Sequence, residues 1–208
     1  TAVHGMMTII GGDNRYYNNI FLGTQPDNEE KEKKIDTNEW MFVEVKFQED
    51  GSILKGLACY NECPVGGEKW YKDLHSVVDF VNARLPMYCG SNVYFHDAKP
   101  FKVETDSLVF PDIKPVVRLV EEEDGVYLEM DFKDALTKVN TVTVTTDFLG
   151  LAFEPELPYE NPDGTPLCIE RDFFGNLRPL GQMMAGPFEG IGKGSRKIKV
   201  AELSKPRK

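Results

Sequence analysis

Wherever the chain shows a pattern, apolar and polar residues alternate. Val43, Val45 and Phe47 fall on one side of a run and Glu44 and Lys46 on the other; Val126, Leu128, Met130 and Phe132 oppose Tyr127, Glu129 and Asp131; Val142 and Val144 oppose Thr141, Thr143 and Thr145. A period of two marks a strand with one buried face. Asp50-Gly51 and Asp124-Gly125 sit between alternating runs, where a glycine at positive φ closes a hairpin, so 116–120 and 126–132 are expected to pair. Val126, Leu128, Met130, Val142 and Val144 would then share one apolar layer. Asn161-Pro162-Asp163-Gly164 reads as a further turn. Leu74, Val77, Val78, Val81 and Leu85 recur at helical spacing and predict one short helix. Residues 27–39 crowd charges around a single Ile35, too little apolar surface for burial to order them, and are expected to be an exposed loop.

A faint repeat underlies the first half. "YYNNIFLG" at 16–23 and "CGSNVYFHDA" at 89–98 each place asparagine before a short apolar strand, and "ILKGLACYNECP" at 53–64 is a third apolar strand ending beside one. Asparagine tolerates left-handed backbone and bonds to neighbouring peptide groups, so it can turn a strand through a sharp corner. Stacked coils need that corner repeatedly. The repeat predicts Ile20, Leu57 and Val93 at matching heights, all pointing inward.

Composition narrows the partners. The 208 residues carry a formal charge of −10 and 41% apolar residues, enough for a sizeable core. Seven of the basic residues and one acidic residue fall in 193–208, a basic tail read as a solvated end, which leaves −16 for the remainder. Such a body repels phosphate backbones, and nucleic acid is not an expected partner. The apolar runs are shorter than the ~18 residues that span a bilayer, and no charged-then-apolar leader opens the chain, so no membrane partner is expected. Thr1 in place of Met is read as the start of a fragment or processed chain. Cys59, Cys63, Cys89 and Cys168 lack a second metal-binding pair; buried free thiols are expected, and with them a reducing, cytoplasmic compartment. No metal and no cofactor is expected.

Three stretches resemble a known architecture. "GGDNRYYNNIFLG" at 11–23 and "GSNVYFHDAKP" at 90–100 are similar to coils of right-handed parallel β-helix proteins, and "RDFFGNLRPLGQMMAGPFEG" at 171–190 resembles their closing segment. Together they resemble the C-terminal part of β-helix glycoside hydrolases, in particular the β-xylosidases of family 120. The resemblance implies an all-β fold: parallel β-helix coils with loop insertions over 1–110, an antiparallel β-sandwich-like insert over 111–170, a closing β-helix segment over 171–192 and the tail. It further implies a carbohydrate substrate, a groove of which this chain forms one wall, and an upstream β-helix portion as partner; a homo-oligomer stays open. A non-catalytic carbohydrate-binding or packing module is the alternative. A polysaccharide lyase ranks last, since the acidic body offers no basic groove for uronates.

Glycoside hydrolysis needs two carboxyl groups facing one sugar. Of 34 acidic residues, Asp13 and Glu62 lie at coil corners and are the catalytic candidates within the chain, although the resemblance places the acid pair upstream. His4, Asp13, Asn14 and Arg15 form a polar cluster able to bond sugar hydroxyls, and the competing reading, the stronger of the two, has Asp13 and Arg15 bracing a turn. Trp40 and Trp70 border predicted loops; Trp70 is the sugar-stacking candidate, against the ordinary role of an indole covering a core edge. "GIGKGS" at 190–195 fails as a phosphate loop, because Pro187 stands where the first glycine is required and Gly194 follows Lys193.

Overall fold

A computed structural model describes residues 13–23, 54–65, 85–138, 141–153 and 155–203. Strand follows strand: β1 (Asn14–Tyr17), β2 (Ile20–Leu22), β3 (Lys55–Gly56), β4 (Met87–Gly90), β5 (Val93–Phe95), β6 (Ala98–Lys99), β7 (Leu108–Phe110), β8 (Val116–Glu122), β9 (Gly125–Asp131) and β10 (Ser195–Ala201). Among the described residues the α-helical element is a single turn, α1 (Thr146–Leu149), capped by the Thr145 side chain, which accepts from the Phe148 amide. The helix expected from 74–85 and the loop at 27–39 lie outside the described residues, Leu85 apart.

The first seven strands pair in parallel. β1 lies beside β4, β2 beside β5, and β3 beside β6, so each later strand sits on the one three places before it; β7 then adds to β5. Ile20, Val93 and Leu108 stand in one row across the central sheet, and Phe21, Tyr94 and Val109 in the next. The repeat noticed in the sequence is thus a register: β1 and β4 align Tyr17 with Gly90, and β2 and β5 align Ile20 with Val93. Asn18 therefore matches Ser91, and Asn19 matches Asn92. Asn18 and Ser91 carry the corner, at φ 59° and 54°.

One expectation about facing is corrected. Val93 and Phe95 enter one apolar cluster with Met130, Phe132, Leu136, Ala185, Phe188 and Ile191, against which Ile20 also packs. Leu57 enters a second cluster with Cys63, Met87, Tyr94, Ala98 and Phe101. Leu57 also lies in a 3-10 turn, Leu57–Tyr60, and not in the strand before it. Ile20 and Val93 are in register, but Leu57 belongs to the opposite side of β5. All three β5 residues are fully buried, so the in-out alternation that would separate the faces is absent from the sequence. Phe21 stacks on Tyr94 in the second cluster, with centroids 5.0 Å apart and rings 8° from parallel.

The remaining sheet is antiparallel, in the order β10-β9-β8. Its β8–β9 hairpin falls where the alternation predicts it, with Glu122 opposite Gly125. Gly125 is there for close approach: a Cβ would lie 2.5 Å from the Ala201 carbonyl oxygen, and its φ is not positive. The third strand departs from expectation. Residues 195–201, within the stretch read as a solvated basic tail, pair with β9, because Ile198 and Val200 alternate with Lys197 and Lys199 and pack on the first cluster. The segment 141–145 does not join this sheet: Val144 is buried, yet Thr145 bridges to Cys168 and the Val142 peptide bonds to the Asn18 side chain. The fold is mostly β, with small parallel sheets and one three-stranded antiparallel sheet.

Candidate functional site

The corner between β1 and β2 organises its surroundings through amide side chains. Asn92 is 1% exposed; its Oδ1 accepts from the Asn19 amide (2.9 Å) and from Asn19 Nδ2 (3.1 Å), and its Nδ2 donates to the Tyr16 carbonyl (2.8 Å) and Glu104 Oε1 (2.9 Å). Glu104 Oε2 accepts from the Tyr94 hydroxyl at 2.6 Å. Burial, the hydrogen bond to Glu104 and its charge all push the Tyr94 phenol up. Cys89 is raised to about 12, by burial first and then by Glu104. These hydrogen bonds bind the coil corner to itself.

Asp13 and Arg15 brace the loop beyond α1. Arg15 donates from Nε to the Leu149 carbonyl (3.0 Å), from Nη2 to the Leu151 carbonyl (2.8 Å), and from Nη1 to Asp13 Oδ1 and the Asp13 carbonyl. Asp13 Oδ2 accepts from the Phe153 amide (2.7 Å) and the Tyr159 hydroxyl (3.0 Å). The guanidinium lies over the Tyr88 and Tyr159 rings, at 4.2 and 4.6 Å from their centroids. With Arg15 7% and Asp13 14% exposed at the side chain, this pair is a structural clamp of the kind weighed against the substrate-binding reading. Asn14 opens β1 opposite Met87. Glu62 is exposed in the turn after the 3-10 segment and is not among the partners of Asp13. His4 and Trp70 lie outside the described residues. Of the cysteines, Cys63 is buried, Cys59 and Cys89 are half-buried and Cys168 is exposed, so burial of all four is corrected at Cys168.

A second arginine anchors the other side. Arg178, 9% exposed, donates from Nε to Glu189 Oε1 (2.6 Å) and from Nη2 to the Met184 and Gly186 carbonyls (2.6 and 2.9 Å). The Gly186 amide in turn donates to the Asn18 carbonyl at 2.8 Å. Between the corner and this loop opens a cleft of about 480 Å³, within the usual range for small-molecule sites, with Tyr17, Asn19, Arg171, Asp172 and Phe173 in its wall. Phe173 is 57% exposed and packs edge-on against both Phe174 and Phe188, which are tilted against each other. Asp172 accepts from the Phe174 and Asn176 amides, both at 2.9 Å, and from Asn176 Nδ2. Arg171 donates only Nη1, to the Gly175 carbonyl, and the Tyr17 hydroxyl has no hydrogen-bond partner among the described residues. The cleft offers the exposed Phe173 ring and part of a guanidinium, while the Tyr17 ring packs edge-on against Phe148 with centroids 4.7 Å apart. That set suits a polar ligand with an apolar face, and its carboxylate is occupied in holding a turn. Sequence reading missed this wall, although Arg171, Asp172 and Phe173 stand inside the closing segment it singled out.

No protein-family model matches the chain, and no curated protein matches it. A solved structure, the complex of XylC with xylose, superposes with a TM-score of 0.67 and 27% sequence identity over 91% of this chain. The match spans 26% of the XylC chain, so this chain is similar to a piece of that protein.

Proposed function

We propose that this chain is the portion of a xyloside-processing glycoside hydrolase that closes its coiled β-stack and forms one wall of the sugar groove. The observation that carries the reading is the match of 91% of the chain to a protein bound to xylose. The parallel pairing supports it: β4, β5 and β6 each stacked on the strand three places earlier are what two successive coils of a β-helix produce. The hydrolytic carboxyl pair lies elsewhere on this reading, since Asp13 and Asp172 are committed to bracing loops. Leu151, Leu157, Ile169, Leu177 and Leu180, all more than two-fifths exposed, are residues that the larger enzyme would cover.

Two measurements test this. Xylose or xylobiose titrated into the chain should perturb the ring signals of Tyr17 and Phe173, and Phe173→Ala should weaken the effect. An aryl β-xyloside should be hydrolysed when the chain is produced joined to the residues that precede Thr1 in its gene, and left intact by the 208 residues alone. An extended protein without xyloside hydrolysis, or xylose perturbation unaffected by Phe173→Ala, overturns the assignment.

A further inference from the structure

A second recess, away from the sugar cleft, is built for a negative charge. It encloses about 250 Å³ between the end of β9 and the start of β10, with Leu136, Met183 and Met184 among its apolar walls and Lys193 and Arg196 among its cations. Its volume lies below the range of drug-sized pockets and suits one small group, not a polymer. In a chain of net charge −10, unpaired cations are the feature that needs a reason. Most basic residues of this sheet are matched: Arg118 with Glu129, Lys133 with Asp131, Lys197 with Glu122, and Lys199 with Asp124 and Glu202. Lys193 and Arg196 make no ion pair or side-chain hydrogen bond among the described residues.

The glycine-rich loop that leads into them adds donors. The amides of Gly190, Ile191, Gly192 and Lys193 donate to no acceptor among the described residues, although Ile191 and Gly192 are buried. A buried amide without a partner costs free energy until an acceptor arrives. Gly190 takes φ 73° while Ile191 does not share its sign, an alternation in which successive N–H groups can converge on an anion. The carboxylates of Asp134 and Glu189 are already engaged: Asp134 Oδ1 accepts from the Gly194 amide at 2.8 Å, and Glu189 Oε1 accepts from Arg178 Nε and the Met184 amide. "GIGKGS" lacks the spacing of a nucleotide phosphate loop but keeps the physical elements of a smaller anion site.

We propose that this recess binds a small oxyanion, through Lys193, Arg196 and the 190–193 amides, and that the ligand is a carboxylate carried on a sugar ring. The choice of a sugar rests on the xyloside reading; the oxyanion chemistry does not. Phosphate offers the same chemistry from another source. The Met183 and Met184 methyl signals of the intact chain report occupancy, followed during titration with sodium glucuronate, inorganic phosphate and neutral xylose. Glucuronate should shift both methyls, xylose should leave them in place, and the Lys193→Gln/Arg196→Gln variant should bind about tenfold or more weakly, the loss of one to two charge-assisted contacts. The charge-keeping Lys193→Arg variant should retain binding, which separates lost charge from lost folding. Shifts with phosphate and none with glucuronate would overturn the sugar assignment and leave the anion site. Absence of shifts with either anion, or equal binding by the double variant, would overturn the site itself, and neither result bears on xylose in the cleft.

Discussion

Removing the side chain of Asn92 measures how much the stacked corner contributes to the fold. Asn92→Ala deletes four hydrogen bonds at a residue 1% exposed: two accepted from Asn19 and two donated, to Tyr16 and Glu104. A typical bond contributes about 0.5–1.5 kcal/mol net, and a buried donor left without an acceptor costs about 1–3 kcal/mol. Glu104 Oε1 keeps one donor, the Asn92 amide at 3.2 Å, so the loss concentrates on the Asn19 amide and the Tyr16 carbonyl. The sum is about 3–5 kcal/mol, and at about 2–4 °C per kcal/mol for a chain of this size the melting temperature should fall by about 6–20 °C. Urea denaturation with calorimetry reads both quantities. Asn92→Asp sharpens the test: it keeps the acceptor but sets a second carboxylate beside Glu104, which raises the pKa of the introduced group above its unfolded value. Its destabilisation should therefore be largest at neutral pH and shrink as pH falls through that raised pKa. A cost under about 1 kcal/mol for Asn92→Ala would show that solvent or a shifted Asn19 replaces the network, and the argument from stacked asparagines would fail.

Asp13→Ala should leave Arg15 buried beside an empty acceptor and free the Phe153 amide and Tyr159 hydroxyl, at about 3–5 kcal/mol, with any sugar binding per folded molecule unchanged; a variant of wild-type stability with lost binding would reverse the clamp assignment. Thiol labelling at mildly alkaline pH should modify Cys168 at once and spare Cys89, whose thiol is held at about 12 by burial and Glu104, until denaturant is added; fast labelling of Cys89 in the native chain would contradict its placement. Burial raises the Tyr16 and Tyr159 phenols to about 12, above the unfolded value of about 10, so their contribution to stability is whole below pH ~10 and is lost as pH rises through 12. Tyrosinate absorbance should then rise together with unfolding over that window, and a smooth rise in a folded protein would place these rings in solvent.

The readable parts of the sequence were those where one face is wet. β8 and β9 stand where alternation puts them, and Asn161-Pro162-Asp163-Gly164 makes its turn, with the Gly164 amide donating to the Asn161 carbonyl at 2.9 Å. The corner asparagines were legible too, as a repeat whose register the paired strands confirm. β5 was harder, because Val93, Tyr94 and Phe95 are buried on both sides and carry no alternation to say which cluster each joins. β10 was obscured by charge: Lys197 and Lys199 made the segment look solvated, while the alternating Ile198 and Val200 carried the strand signal. The cleft wall was hidden for another reason. Arg171 and Phe173 line the cleft only because the loop anchored by Arg178 meets the β1–β2 corner through the Gly186 amide, and no local spacing encodes that meeting.

The two arginine anchors explain why the corner can serve as scaffold and as wall at once. Arg15 ties 149–151 to the front of β1, and Arg178 holds the 184–186 loop, whose Gly186 amide donates to Asn18 in the turn after β1; each guanidinium spreads its donors over two carbonyls two residues apart. A guanidinium holds such a fork with little further entropy loss, which a lysine ammonium would not match. Asn18 closes the arrangement, accepting from Gly186 on its carbonyl and exchanging both side-chain bonds with the Val142 peptide. Across the cleft, Phe173 and the uncommitted part of Arg171 stand on a loop held by the Asp172 turn and the Arg178 anchor, so on the proposed reading their rigidity comes from neighbours that need not touch a ligand.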